Sequence, residues 1–281
     1  MRYLNISGYK FVQIDNPIIL EKHFRHLANS LGIRGTILVG SEGLNISLAG
    51  EKEAVYQFID SLYADQRFTG LKFKESWSSS IPFRRLRIRI KEEIVTMRVE
   101  GIEPAKKTGK YLPAEKLKKW LDENREFALL DTRNDYEHKI GSFNKAIDLN
   151  IENFRDFPEK VKALPDELKK KPLVMFCTGG IRCEKAAVYC LENGFEEVYQ
   201  LEDGIIKYFE KCGGAHWRGE CFVFDNRVAV KPDLSETEKK YCLACFEILT
   251  LEELKSDKFA FNRYCPHCYT ENQSVNCMIE G

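Results

Sequence analysis

Val174-Met175-Phe176-Cys177-Thr178-Gly179-Gly180-Ile181-Arg182-Cys183-Glu184-Lys185-Ala186 passes from an apolar segment through a cysteine, a glycine pair and an arginine into a helical pattern. Leu173 to Phe176 is short, wholly apolar and preceded by Lys171-Pro172, so it reads as a buried parallel strand. Cys183 to Asn193 carries apolar residues at helical spacing and stops at Gly194. Cys177 therefore falls on a strand-to-helix turn. Such a turn aims successive backbone N–H groups and the positive end of the helix at one point, which stabilises an anion. The anion expected there is the sulfur of Cys177.

Around this turn, strand-like and helix-like segments alternate. Leu112-Pro113 opens a helix through Leu121, and Phe127 to Leu130 is a strand ending in Asp131-Thr132-Arg133. Asp135 to Lys139 is a helical turn, Ala146 to Leu149 a strand and Glu152 to Leu164 helical. Glu197 to Leu201 is a last strand and Gly204 to Lys211 a last helix. The alternation predicts a parallel α/β sheet with helices on both faces, binding its ligands beyond the carboxyl ends of the strands. Cys177 lies on that edge.

Upstream, the segments read as strand Tyr3 to Val12, helix Ile18 to Leu31 after Asn16-Pro17, strands Gly35 to Val39 and Leu44 to Leu48, and helix Glu51 to Tyr63. Leu71 to Glu75 and Leu86 to Val99 are further extended segments. The order β-α-β-β-α-β is that of a ferredoxin-like sandwich. The expected organisation is thus a multidomain chain mixing α+β and α/β parts: a ferredoxin-like domain at 1–105, the parallel α/β domain at 106–212 and a Cys-rich extension at 213–281.

The chain has 281 residues, a formal net charge of zero and ten cysteines. Zero net charge excludes a global electrostatic case for nucleic acid, leaving only local patches. One such patch is Arg85, Arg87, Arg89 and Lys91, which would share one face of a strand while Leu86, Ile88 and Ile90 face the core. That row fits either phosphate binding or the solvated face of an edge strand. The chain shows no signal-peptide pattern and no apolar run of bilayer length, so a cytoplasmic protein without membrane contact is expected. In that compartment cysteines in pairs point to metal or thiol chemistry. Cys242-Leu243-Ala244-Cys245 and Cys265-Pro266-His267-Cys268 have zinc-ribbon spacing, which makes Cys242, Cys245, Cys265 and Cys268 candidate ligands, with His267 and Cys277 as possible substitutes.

From Cys177 to Arg182 the spacing is C-x4-R. Cysteine phosphatases use C-x5-R, and the loop shorter by one residue narrows the cradle to a sulfur-sized anion. Gly179 and Gly180 permit the backbone angles that a nest of N–H donors requires. The helix N-terminus, with Arg182 if its guanidinium turns inward, lowers the thiol pKa. Alternatively, Arg182 pairs with a carboxylate as structure. Cys183, in the first helical turn, either packs or resolves a persulfide on Cys177, and Asp131 and Arg133 brace the loop.

Cys177-Thr178-Gly179-Gly180-Ile181-Arg182 resembles the active-site loop of rhodanese domains. Leu130 to Glu137, with Gly141-Ser142-Phe143 and Ala146, resembles the first rhodanese signature, Ser142 standing where a histidine is frequent. The longer run to Ala186, with Gly40-Ser41-Glu42-Gly43-Leu44-Asn45 and Gly219-Glu220-Cys221-Phe222-Val223-Phe224-Asp225, resembles the rhodanese-containing tRNA uridine hydroxylase family. That resemblance implies 5-hydroxylation of the wobble uridine of tRNA by an oxidoreductase. It also implies molecular oxygen as co-substrate and no organic cofactor. The alternatives are a persulfide sulfurtransferase and a non-catalytic RNA-binding or redox-sensing module.

Overall fold

The computed structural model describes residues 3–261 and 263–270. The first layer runs β1 (Tyr3–Phe11), α1 (Pro17–Ser30), β2 (Arg34–Gly40), β3 (Gly43–Gly50), α2 (Lys52–Tyr63), β4 (Lys74–Ser78) and β5 (Leu86–Ile90). Its sheet order is β4-β1-β3-β2-β5, antiparallel except where β5 joins β2 in parallel. The Asn16 side chain accepts from the Ile19 N–H and Pro17 supplies the first helical φ, so α1 starts where expected. Leu20, Phe24 and Ala28 of α1, with Val55, Phe58 and Leu62 of α2, bury one helical face each against Leu4, Ile6, Ile37 and Ile46. This is the ferredoxin-like βαββαβ unit, with β5 as an added edge strand.

Two strand expectations shift. The expected Leu71 to Glu75 strand forms instead as β4, starting at Lys74. The extended reading of 86–99 ends at Ile90: the Lys91 N–H is the last to reach β2, at the Val39 carbonyl, and side chains take over as acceptors further on. Glu42 accepts from the Ile94 N–H, and Glu93 accepts from those of Met97 and Arg98. Ile90 is 47 % exposed rather than in the core, since β5 lies at the sheet edge.

The second layer contains β6 (Lys110–Leu112), α3 (Ala114–Asp122), β7 (Ala128–Asp131), α4 (Asp135–Ile140), β8 (Gly141–Phe143), β9 (Ile147–Asp148) and α5 (Phe157–Lys162). It continues with β10 (Leu173–Phe176), α6 (Ile181–Glu192), β11 (Val198–Leu201) and α7 (Gly204–Cys212). The sheet order β6-β11-β10-β7-β9 is parallel throughout. All of β10 is buried, Leu173 and Met175 against Phe157 and Ala187, Val174 and Phe176 against Leu117, Ile205 and Tyr208. Burial on both faces explains an unbroken apolar run in the sequence.

Beyond α7 the chain returns to this layer. β12 (Trp217–Gly219) pairs with β8, and β13 (Cys221–Phe222) forms a hairpin with β14 (Ala229–Val230). A small ladder of β15 (Lys240–Tyr241) and β16 (Ile248–Leu249) precedes the second cysteine pair. Among the described residues no helix is long and apolar enough to cross a membrane.

Candidate active site

β10 ends at Phe176 and α6 begins at Ile181, so Cys177 to Gly180 form the turn between them. Gly180 has φ +98°, and a Cβ there would meet the Tyr9 hydroxyl at 2.8 Å. Glycine is therefore required twice, by conformation and by Tyr9. Gly204, at φ +73°, lets the start of α7 approach the loop, and Ile205 and Ile206 donate their N–H groups to the carbonyls of Cys177 and Thr178.

Cys177 is 1 % exposed, and its sulfur accepts from the Gly180 N–H at 3.1 Å. Burial pushes this thiol up, but a hydrogen bond from Cys183, the Arg182 guanidinium and the N–H groups of Arg182 and Cys183 outweigh it. The net effect holds Cys177 well below the ordinary thiol range. Burial and the neighbouring Cys177 push Cys183 up, and Thr132 Oγ1 lies 3.6 Å from the Cys183 sulfur. The arrangement favours the charged form at Cys177 and the neutral form at Cys183.

The Arg182 guanidinium is committed to Glu137, with Nη1 2.5 Å from Oε2 and Nη2 2.8 Å from Oε1. The hydrogen bonds of Arg182 thus go to a carboxylate, while its positive charge works to lower the Cys177 thiol. Glu137 holds the turn from a second side as well, accepting from Thr178 Oγ1 at 3.3 Å.

Asp131 and Arg133 are fully buried and paired, and Arg133 also donates to the Gly141 carbonyl. Burial opposes the Asp131 charge, but Arg133, His138 and Ser142 hold its carboxyl well below the usual range. Ser142 Oγ donates to Asp131 Oδ2 at 2.9 Å, so the serine supplies the hydrogen bond at this position. The pair ties the end of β7 to the Gly141 carbonyl at the start of β8.

The first layer covers the turn, a relationship that no single stretch of sequence displays. The Tyr9 and Tyr111 hydroxyls both donate to Glu184 Oε1 at 2.9 Å, and Gln200 donates to Oε2 at 3.1 Å. Lys185, buried next in sequence, places its ammonium 2.8 Å from Glu42 and 2.7 Å from Glu93. The signal for these residues lay in the Glu184-Lys185 extension of the loop and in the Glu42 segment. Their charges become interpretable only once both layers are in place.

Arg85, Arg87, Arg89 and Lys91 lie along β5, the edge strand of the first sheet, and at its ends. Arg85 and Lys91 are exposed and Arg87 and Arg89 half-buried. In the tail, Cys242, Cys245, Cys265 and Cys268 converge, with Sγ atoms 3.9 Å (242–268), 3.6 Å (245–265) and 3.8 Å (265–268) apart. Four thiolates at the ~2.3 Å zinc–sulfur distance stand about 3.8 Å from one another in a tetrahedron, so the donor set and its spacing fit a metal ion. His267 turns instead to Glu253, with 2.6 Å between Nε2 and Oε1. Cys277 lies outside the described residues.

Residues 3–94 match a family model described as UPF0176 acylphosphatase like domain, and residues 113–211 match a Rhodanese-like domain. A Cupriavidus necator protein named tRNA uridine(34) hydroxylase is 45 % identical over 273 residues, covering 95 % of this chain and 97 % of its own. A Variovorax paradoxus protein of the same name is 52 % identical over 237 residues, covering 83 % and 90 %. A solved rhodanese-like domain from Anabaena is 23 % identical, with a TM-score of 0.33 over 39 % of this chain and 78 % of that one.

Proposed function

The chain belongs to the family of the tRNA uridine(34) hydroxylases, and on that premise we propose that it hydroxylates uridine 34 of tRNA at carbon 5 with Cys177 as the reacting group. The observation that carries this reading is the Cys177 sulfur seated at the β10–α6 turn, accepting from the Gly180 N–H with the Arg182 guanidinium and the Cys183 thiol beside it, a setting that favours its thiolate.

The thiolate adds to carbon 6 of the uracil, which makes carbon 5 electron-rich. Molecular oxygen, the co-substrate, then bonds to carbon 5. Cys183 takes the outer oxygen atom as a sulfenic acid, a two-electron oxidation of its sulfur. Loss of a proton from carbon 5 and departure of Cys177 from carbon 6 restore the ring with its new hydroxyl. Cys177 and the Cys183 sulfenic acid condense to a disulfide with loss of water, and a small-molecule thiol reduces it. On this reading the enzyme is an oxidoreductase without an organic cofactor.

Arg182 is proposed to stabilise the thiolate, with Thr178 to Ile181 supplying the turn and Asp131 and Arg133 bracing it. Arg85, Arg87, Arg89 and Lys91 are proposed phosphate contacts to tRNA. Cys242, Cys245, Cys265 and Cys268 would hold zinc, whose part is to cross-link a small fold and not to enter the reaction. The three parts, 1–105, 106–212 and 213–281, would thus bring substrate binding, the sulfur and a metal-braced wall to a cytoplasmic tRNA.

Mass spectrometry of tRNA nucleosides from a deletion strain complemented with wild type or Cys177→Ser tests this. Loss of 5-hydroxyuridine-derived nucleosides in deletion and variant is the expected result. Retention in the variant would refute the role of Cys177, and a change confined to thiolated nucleosides would move the reading to sulfur transfer.

A further inference from the structure

The tail segment that leads from β12 into the β13–β14 hairpin packs against the Cys177 turn, where Thr178 Oγ1 lies 3.4 Å from the Phe222 carbonyl oxygen. Phe222 is 3 % exposed and Val223 9 %, yet Phe224 between this pair and Asp225 is 55 % exposed. A lone exposed aromatic is ordinary on a protein surface. The setting of Phe224 is not that of a loose surface ring. Its ring lies edge-on to Phe222 at 5.0 Å and faces the Arg182 guanidinium at 5.6 Å.

The backbone on either side is pinned. Val223 donates to the Val228 carbonyl and Val228 to the Asp225 carbonyl, closing a tight turn, and Asn226 donates to the Pro82 carbonyl of the first layer. The Arg227 guanidinium forms two hydrogen bonds to the Asp225 carboxylate, at 2.8 and 2.6 Å, and a third to Ser76 Oγ at 2.9 Å. An aromatic face is thereby fixed at the rim of the Cys177 turn, between the two layers, at little further entropic cost on binding.

We propose that Phe224 is a positioning residue whose ring stacks on the uracil presented to Cys177. This rests on the reading of the chain as a uridine hydroxylase. Enzymes that act on a base take it out of its stack and hold it against aromatic or apolar side chains, and a π-face recognises any base by area. Phe224 supplies that face against Arg182, the residue that closes the C-x4-R turn carrying the sulfur.

The test is binding of a tRNA transcript with uridine at position 34, and of the same transcript with an abasic residue there, to full-length protein carrying Phe224→Ala or Phe224→Trp. Phe224→Ala is expected to weaken binding of the uridine transcript on the order of tenfold, to leave binding of the abasic transcript unchanged, and to leave the rate of Cys177 alkylation unchanged. Phe224→Trp keeps wild-type affinity. Equal affinities of Phe224→Ala and wild type for the uridine transcript, or an equal loss on the abasic one, would overturn the proposal. Because the readout is binding, a failed Cys177→Ser experiment would leave this result standing on its own.

Discussion

Arg182 and Glu137 are locked in a two-pronged ion pair whose carboxylate is fully closed to solvent. The pair sets two properties at once. Arg182→Gln strands the Glu137 carboxylate in the interior, which costs about 3–5 kcal/mol, and removes a charge that favours the Cys177 thiolate. Adding Glu137→Gln should recover most of the stability but not the thiolate. Chemical denaturation reads the first effect and the pH dependence of iodoacetamide labelling reads the second. If the double variant also restored labelling at neutral pH, Arg182 would have no electrostatic part at the sulfur.

The Cys177 thiol is held below its ordinary value in the folded protein. Its ionisation therefore contributes stability that is fully present above the unfolded thiol value of ~8.5 and is lost as pH falls through the folded one. The stability gap between wild type and Cys177→Ser should shrink as pH is lowered across that window. Denaturation of both proteins at several pH values gives the gap. A gap that widened on acidification would have the wrong sign and would mean that the thiol, not the thiolate, is favoured.

Lys185 is buried and bridges Glu42 and Glu93 across the two layers. Replacing it with Ala leaves two facing carboxylates without their cation and should lower stability by about 3 kcal/mol. The same change should speed alkylation of Cys177, since it loosens the seam that holds Tyr9 of the first layer against Gly180 of the turn. Unchanged alkylation in a destabilised variant would show that access to the sulfur does not depend on this seam.

The four tail cysteines should hold about one zinc per chain in protein purified without chelators. Elemental analysis measures it, and chelation or Cys245→Ser should lower the melting temperature. The Cys177 labelling profile should stay as it was, because the metal takes no part in making the thiolate.

Neutralising Arg85, Arg87 and Arg89 should weaken tRNA binding alike for all sequences and flatten its dependence on log salt by about 0.9 for each phosphate that is no longer neutralised. An unchanged slope would leave these residues as the solvated face of an edge strand.

The order of elements and the Cys177 turn were legible because local patterns dictate them. Leu173 to Phe176 forms β10 at the expected bounds, and Gly180 starts α6 two residues earlier than the apolar spacing implied. What stayed hidden is long-range. Glu137 precedes Arg182 by forty-five positions and Tyr9 precedes Glu184 by 175, so nothing local marked them as partners. The path after β5 has the pattern of a strand and is not one, because Glu42 and Glu93 carboxylates can replace a neighbouring strand as hydrogen-bond acceptors. Ile90 leaves the core because alternation tells which residues share a face and not whether an edge strand has cover at its end.

The near-complete burial of Cys177 also bears on chemical safety. A thiolate at neutral pH is the form that peroxides attack, and unchecked oxidation passes beyond sulfenic acid to irreversible products. Here the sulfur is almost wholly buried, engaged by the Gly180 N–H, and Tyr9 stands against Gly180, so little of it meets solvent. On the proposed reaction, the burial that shields the nucleophile from stray oxidants also confines it to a substrate bound closely at the turn.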